Sequence, residues 1–120
     1  MTKRIVIFGC RYYRDFKTAS QYIDFCISSI KDKYTLIFVS GNCKGADIIG
    51  EQYARENGYT IELYPAEWKR YGKRAGHIRN KAMAEIGDYF IGFWDGKSAG
   101  TRSMINYVYQ AGKPLKIKKI

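Results

Sequence analysis

Short apolar runs alternate along this chain with longer stretches of helical period, the pattern of a parallel sheet with crossover helices. Ile5 to Phe8 carries no polar position and predicts a buried strand, closed by Gly9-Cys10-Arg11. From Thr18 to Lys31, the residues Ala19, Ile23, Cys26, Ile27 and Ile30 fall on one helical face, with Thr18 as N-cap. Tyr34 to Val39, rich in β-branched and aromatic residues, predicts a second strand that Ser40-Gly41-Asn42 breaks. A second helix is expected to start near Gly45 or Asp47 and to end at Asn57-Gly58, where glycine accepts the left-handed conformation.

Tyr59 to Tyr64 predicts a third strand, stopped by Pro65, and a loop containing Trp68 follows. A third helix from Ala75 to Ile86 turns Ala75, Ile78, Ala82 and Ile86 to the core and closes at Gly87. Tyr89 to Trp94 predicts the fourth strand, and Asp95-Gly96-Lys97-Ser98-Ala99-Gly100-Thr101 leads into a last helix. That helix presents Met104, Ile105, Val108 and Ala111 on one side and stops at Gly112-Lys113-Pro114, before a fifth strand from Leu115 to Ile120. With no repeat or linker, the expected fold is one α/β domain of Rossmann-like type over residues 1–120, five mostly parallel strands with helices on both faces.

Composition narrows the function classes. Twenty-one Lys and Arg against 11 Asp and Glu give a formal charge of +10, a field that draws anions such as nucleotides, nucleic acids or acidic membranes. Part of the excess, Lys113, Lys116, Lys118 and Lys119, also suits an edge strand kept soluble. Three cysteines without CxxC spacing and a single histidine argue against a disulfide framework and against a zinc or other metal site, and fit a reducing cytoplasm. The first apolar run is too short for a signal-peptide core or a membrane span, so no membrane association is expected.

In an open sheet of this type, ligands bind beyond the carboxyl ends of the strands, which makes the strand-to-helix turns informative. Three are glycine-bearing: Gly9-Cys10-Arg11, Gly41-Asn42-Cys43-Lys44-Gly45-Ala46-Asp47, and Gly96-Lys97-Ser98-Ala99-Gly100-Thr101. None has the spacing of a dinucleotide fingerprint or a Walker loop. Each glycine alone reads as a turn residue, whereas three such turns on one sheet edge point to backbone amides and helix starts gathered around phosphate.

From Trp68 to Ala84 the chain holds Lys69, Arg70, Lys73, Arg74, Arg79 and Lys81 without an acidic residue. A solvated basic face is the ordinary reading; Gly72 and Gly76 near a helix start, with Arg79 a turn further on, add a bidentate phosphate contact as the functional one. Asn80 is suited either to a ribose or base edge or to capping a loop, and Trp68 either to stacking on a base or to covering the core. Glu67 and Asp47 are the candidate catalytic carboxylates, with helix-start stabilisation as their alternative role, and His77 stands in no nucleophile motif.

Taken in order, these turns with Ala66-Glu67-Trp68, the segment Gly72 to Met83 and Trp94-Asp95-Gly96 resemble the small YspA-like group of the SLOG superfamily, across nearly the whole chain. That superfamily also holds the LOG-type nucleoside-monophosphate hydrolases and the Rossmann-like domain of DprA proteins. The resemblance implies a pocket lined by Gly9, Arg11, Gly41, Gly45, Asp47, Arg79, Asn80, Gly100 and Thr101. Cys10 stands where the pattern more often has serine, which removes one hydroxyl donor. LOG hydrolases carry P-G-G-x-G-T-x-x-E; with its Gly-Thr on Gly100-Thr101, the glutamate position is Met104, and an apolar side chain manages no proton.

The expected function is therefore binding of a phosphate-containing nucleotide or nucleotide-derived ligand, for sensing or sequestration of a signalling nucleotide in a phage or bacterial defence setting, without a required cofactor. The expected ligand contacts are Gly9, Cys10, Arg11, Gly41, Asn42, Gly45, Ala46, Asp47, Trp68, Gly76, Arg79, Asn80, Gly96, Ser98, Gly100 and Thr101. Two alternatives stand beside it: hydrolysis of an N-glycosidic or phosphate bond through Glu67 or Asp47, and a DprA-like nucleic-acid binding module. Self-association into a homo-oligomer is a further expectation, since LOG-like relatives commonly pair and the chain has many aromatic residues to bury.

Overall fold

The computed structural model describes residues 1–120. Five strands, β1 (Thr2–Gly9), β2 (Thr35–Ser40), β3 (Thr60–Leu63), β4 (Tyr89–Trp94) and β5 (Leu115–Lys119), form one sheet in the order β3-β2-β1-β4-β5, every pair parallel. The connections carry α1 (Phe16–Ile27), α2 (Ala46–Glu56), a single turn α3 (Trp68–Tyr71) continuing through a 3-10 turn over Gly72–Arg74, α4 (Ala75–Ile86) and α5 (Ala99–Ala111).

Alternation along β1 builds two cores. Ile5 and Ile7 point to one face, where they meet Ala19, Ile23 and Ile27 of α1 and Ile49 and Tyr53 of α2. Val6 and Phe8 point to the other, against Met83 and Ala84 of α4 and Met104, Ile105 and Val108 of α5. A strand buried on both faces has no use for polar positions, hence its uninterrupted apolar run. The chain moves outward from β1 through β2 to β3 and then returns across the sheet to β4, so strand order reverses between β1 and β4 and leaves a crevice at their carboxyl ends.

Several boundaries differ from the sequence expectation for local reasons. Helix α1 starts at Phe16 because Asp15, not Thr18, is the N-cap: Asp15 Oδ1 accepts from the Thr18 amide at 3.1 Å. It ends at Ile27, where Ser28 Oγ donates to the Phe25 carbonyl at 2.9 Å, and residues up to Lys33 continue as turns. Trp68 opens α3 instead of lying in a loop. The inward face of α4 is rotated from the expected one: Ala75, Met83 and Ala84 are buried while Ile78, Ala82 and Ile86 are only half-buried. This rotation brings Arg79 and Asn80 toward the sheet edge. Ala111, at the end of α5, is exposed.

Lysines near the C-terminus do more than keep an edge soluble. The Lys113 ammonium donates to the carbonyls of Ala84 (2.9 Å), Glu85 (2.5 Å) and Gly87 (2.8 Å), closing the C-terminus of α4 from the α5–β5 connection. No helix is long and apolar enough to cross a membrane.

Candidate functional site

A cleft of about 510 Å³ lies over the β1/β4 crevice. The β1–α1 turn supplies Gly9 to Tyr12, α2 and the turn before it Cys43 and Asp47, α4 Arg79, Asn80 and Met83, and the β4–α5 turn with the start of α5 Asp95, Lys97, Ser98, Gly100 and Thr101. Phe8, Met83 and Met104 make its apolar floor. Of the residues expected from sequence, Gly9, Cys10, Arg11, Asp47, Arg79, Asn80, Ser98, Gly100 and Thr101 share this cleft.

The remaining expected contacts sit elsewhere, and packing explains each. Gly45 backs onto the first turn, where an added Cβ would lie 2.2 Å from the Cys10 carbonyl oxygen, and its φ of +82° suits glycine. Ala46 is fully buried beneath Gly9. Gly41 and Asn42 shape the second turn without lining the cleft, and Gly96 lies beside Lys119. Trp68 is 53% exposed and rests over Gly76, outside the cleft, and Glu67 is exposed beside Arg70, 4.0 Å away, so this carboxylate is removed from the candidate site. His77 bonds Ser103 of α5 at 3.0 Å on the surface.

Backbone amides divide sharply between those already used and those free. In the first turn the Cys10 amide donates to the Phe93 carbonyl at 3.0 Å. In the second, the Asn42 amide donates to Ser40 Oγ at 3.0 Å and the Cys43 amide to Asp47 Oδ2 at 3.4 Å, so the chain's own carboxylate fills that nest. In the third, Asp95 Oδ1 accepts from the amides of Lys97 and Ser98, both at 2.8 Å. The expected convergence of three phosphate-cradling turns is thus reduced: the amides still open are those of Arg11 and Tyr12 in the first turn, Lys44 and Gly45 in the second, and the start of α5 in the third. The amides of Ala99, Gly100 and Thr101, the first turn of α5, donate to no protein acceptor, and Ser98 makes no capping bond to them.

Arg79 stands across the cleft in a fixed pose. Its Nη1 donates to the Gly41 carbonyl at 2.6 Å and its Nε to Asn80 Oδ1 at 2.9 Å, leaving Nη2 without a protein partner. Asp47 lies nearby, 5% exposed, and burial pushes its carboxyl up to about 7; Arg79 and the amides of Cys43 and Gly41 pull the other way, and Glu51 adds to the rise. Beneath it Ser40 Oγ donates to Glu51 Oε2 at 2.6 Å, so both buried carboxylates are tied into the fold.

Sequence reasoning missed Tyr12 and Asp95 as a pair. Tyr12, 62% exposed, donates its hydroxyl to Asp95 Oδ2 at 2.8 Å, tying the β1–α1 turn to the β4–α5 turn. The amides of Ser98 and Lys97 together with this hydroxyl hold the Asp95 carboxyl well below the usual carboxylate range, and the same bond pushes the Tyr12 phenol up to about 12. The Asp-Gly-Lys-Ser sequence, an acid placed to accept from the amides two and three residues on, was the available signal. No group of three or more His, Cys, Asp or Glu side chains is arranged to hold a metal ion.

Residues 3–71, from β1 to the end of α3, match the model of the YspA, cpYpsA-related SLOG family. The chain belongs to that family. A likeness to a single relative covers nearly all of it: the Gene 61 protein of Mycobacterium phage D29 is 33% identical over 119 residues, 94% of each chain. The family match covers the first two turns beside the cleft, whereas Arg79 and the α5 start lie beyond it. Among solved structures, DNA processing protein A (DprA) from Streptococcus pneumoniae shares the fold with a TM-score of 0.69 at 19% identity, over 98% of this chain and 50% of DprA. The SLOG chain therefore spans about half the length of DprA.

Proposed function

We propose that this SLOG protein binds a phosphate-bearing nucleotide or nucleotide-derived ligand in the β1/β4 cleft, and that it captures the ligand without turning it over. One observation carries the reading: the start of α5, whose first amides have no protein acceptor, brings Gly100 and Thr101 into a cleft that also holds Arg79, Arg11 and Lys97. Both carboxylates in that cleft are already engaged by the chain's own donors, so its cations remain available to an anionic ligand. The phosphate sits at the α5 start within reach of Arg79 Nη2, and the base lies over Phe8, Met83 and Met104.

A hydrolytic reading has one observation in its favour, the perturbed Asp47. Against it, Asp47 is 5% exposed and occupied by the Cys43 amide, and Met104, which stands at the position of the LOG glutamate, is 1% exposed in the core. Neither offers a proton to a glycosidic bond. Sensing or sequestration of a signalling nucleotide in a phage setting is consistent with the phage relative.

The deciding experiment denatures freshly purified protein, identifies released small molecules by mass spectrometry, and titrates the stripped protein with the same compounds by calorimetry. A nucleotide-type ligand released and rebound supports the proposal. Preparations free of ligand that also bind none of a nucleotide panel would overturn it, and release of base or phosphate during incubation would replace it with the hydrolase.

A further inference from the structure

Beside the cleft, the segment from Trp68 to Lys81 forms an exposed surface of one charge. Lys69, Arg70, Lys73, Arg74 and Lys81 are all exposed, and the one ion pair among them is that of Arg70 with Glu67 at 4.0 Å. Of these, Arg74 and Lys81, seven residues apart, fall on one face of α4, about 10 Å from each other along the axis. The exposed lysines and arginines of this short segment repel one another, and a linear polyanion, which meets several of them at once, relieves that better than a single anion does.

An aromatic platform completes the surface. The Trp68 indole is 53% exposed and lies over Gly76, where an added Cβ would be 3.6 Å from Cη2; the small residue is what lets the ring settle on the first turn of α4. Gly76 precedes Asn80 by one helical turn, and Asn80 lines the cleft, so the indole adjoins the cleft rim from outside. A lipid surface would call for an apolar face on these helices, and Trp68 is their one exposed large apolar side chain. A duplex would use the cations but offer the indole no unstacked base.

We infer that the Trp68–Lys81 face is a binding surface for single-stranded nucleic acid, with cations along the sugar-phosphate backbone and the Trp68 ring stacked on a base. Recognition is by charge and stacking, without base-edge readout, so it is tolerant of sequence and steeply dependent on salt. The surface works independently of what occupies the cleft.

The test titrates the full chain into a fluorescent short oligothymidylate, a duplex of equal length and phosphatidylserine vesicles, at about 50 and about 200 mM salt. The triple change Lys73→Gln, Arg74→Gln, Lys81→Gln removes three exposed side chains that make no hydrogen bond in the fold, and Trp68→Ala removes the platform. Expected for the triple variant is a fall in the log K against log salt slope of about 2, at roughly 0.7 per lost phosphate contact on a single strand. Expected for Trp68→Ala is a loss of about tenfold on the single strand and little change on the duplex. Arg79→Ala, which bears on the cleft, should leave oligothymidylate binding intact, so failure of one site is told from failure of the other. Absent single-strand binding at low salt, equal binding to duplex or vesicles, or undiminished binding by both surface variants would overturn the inference.

Discussion

Arg79 Nη1 and the Gly41 carbonyl are 2.6 Å apart, and the space where a Gly41 side chain would grow is bounded by Arg79 Nη1 at 2.7 Å and Asp47 Oδ2 at 2.8 Å. The second turn, which the sequence marks as a phosphate loop, is thus the wall that aims the arginine. Of the two neighbours, the guanidinium is the end of a flexible side chain, and the carboxylate is held by an amide. Gly41→Ala should therefore displace Arg79 and leave the sheet standing, with a stability cost of about 1 kcal/mol. Its calorimetric affinity for the ligand should fall nearly as far as that of Arg79→Ala, for which the loss of a charge-assisted phosphate contact is about 2 to 3 kcal/mol. Undiminished affinity in Arg79→Ala would remove Arg79 from the site.

Asp47 makes stability depend on pH in a direction opposite to that of most acidic groups. Its carboxyl rises from 3.8 to about 7 on folding, chiefly through burial. Below about pH 4 both states are protonated; between there and pH 7 the unfolded chain releases a proton that the folded chain keeps, so stability falls as pH rises, by roughly 4 kcal/mol in all at most. Asp47→Asn retains an oxygen to accept from the Cys43 amide and carries no charge. Urea unfolding at pH 5 and pH 8 should show the variant losing less stability over that interval and exceeding wild type at pH 8. A variant weaker than wild type at pH 8 would show that the ionised carboxylate is instead well solvated by its partners.

How far the sequence reached follows a physical divide. Strand β4 and helix α4 were legible to the residue, and the Gly58 and Gly112 stops were too, because apolar runs, helical period and left-handed glycines are local signals. Which way α4 faces was not, since Ile78, Ala82 and Ile86 compete with Ala75, Met83 and Ala84 for the same apolar signal, and only packing against α5 decides. Likewise the composition of the turns marked them as amide-rich, but Asp47 takes the Cys43 amide and Asp95 those of Lys97 and Ser98, so part of the donors serves the fold itself. Gly9 to Arg11 read as a backbone loop, while the side chain of the residue after it, Tyr12, bridges the cleft's two lips.

Lys113 joins two elements that share no strand pairing. Its ammonium is shared by three carbonyls at the end of α4, which has no basic residue of its own in its last turn. Lys113→Met keeps the apolar stem and removes every donor, leaving carbonyl groups to solvent or unpaired. The expected destabilisation is about 1 to 2 kcal/mol in chemical unfolding, with amide exchange quickened most over residues 83–87. Unchanged protection there would mean that water serves those carbonyls equally well.

Tyr12 and Asp95 set how the cleft opens. The hydroxyl of Tyr12 ends on Asp95 Oδ2, while Asp95 Oδ1 fixes the amides of Lys97 and Ser98 just before the free amides of α5. The two oxygens have separable effects. Tyr12→Phe frees the lip and spares the turn, so ligand should dissociate faster with its association rate unchanged or raised. Asp95→Ala undoes the turn itself; released from their internal acceptor, the Lys97 and Ser98 amides become mobile, and equilibrium affinity should fall further than in Tyr12→Phe. Stopped-flow binding of both variants distinguishes the two. Identical rate constants in Tyr12→Phe and wild type would show that the tyrosine hydroxyl does not restrain the cleft, leaving Asp95 with the single duty of ordering the α5 start.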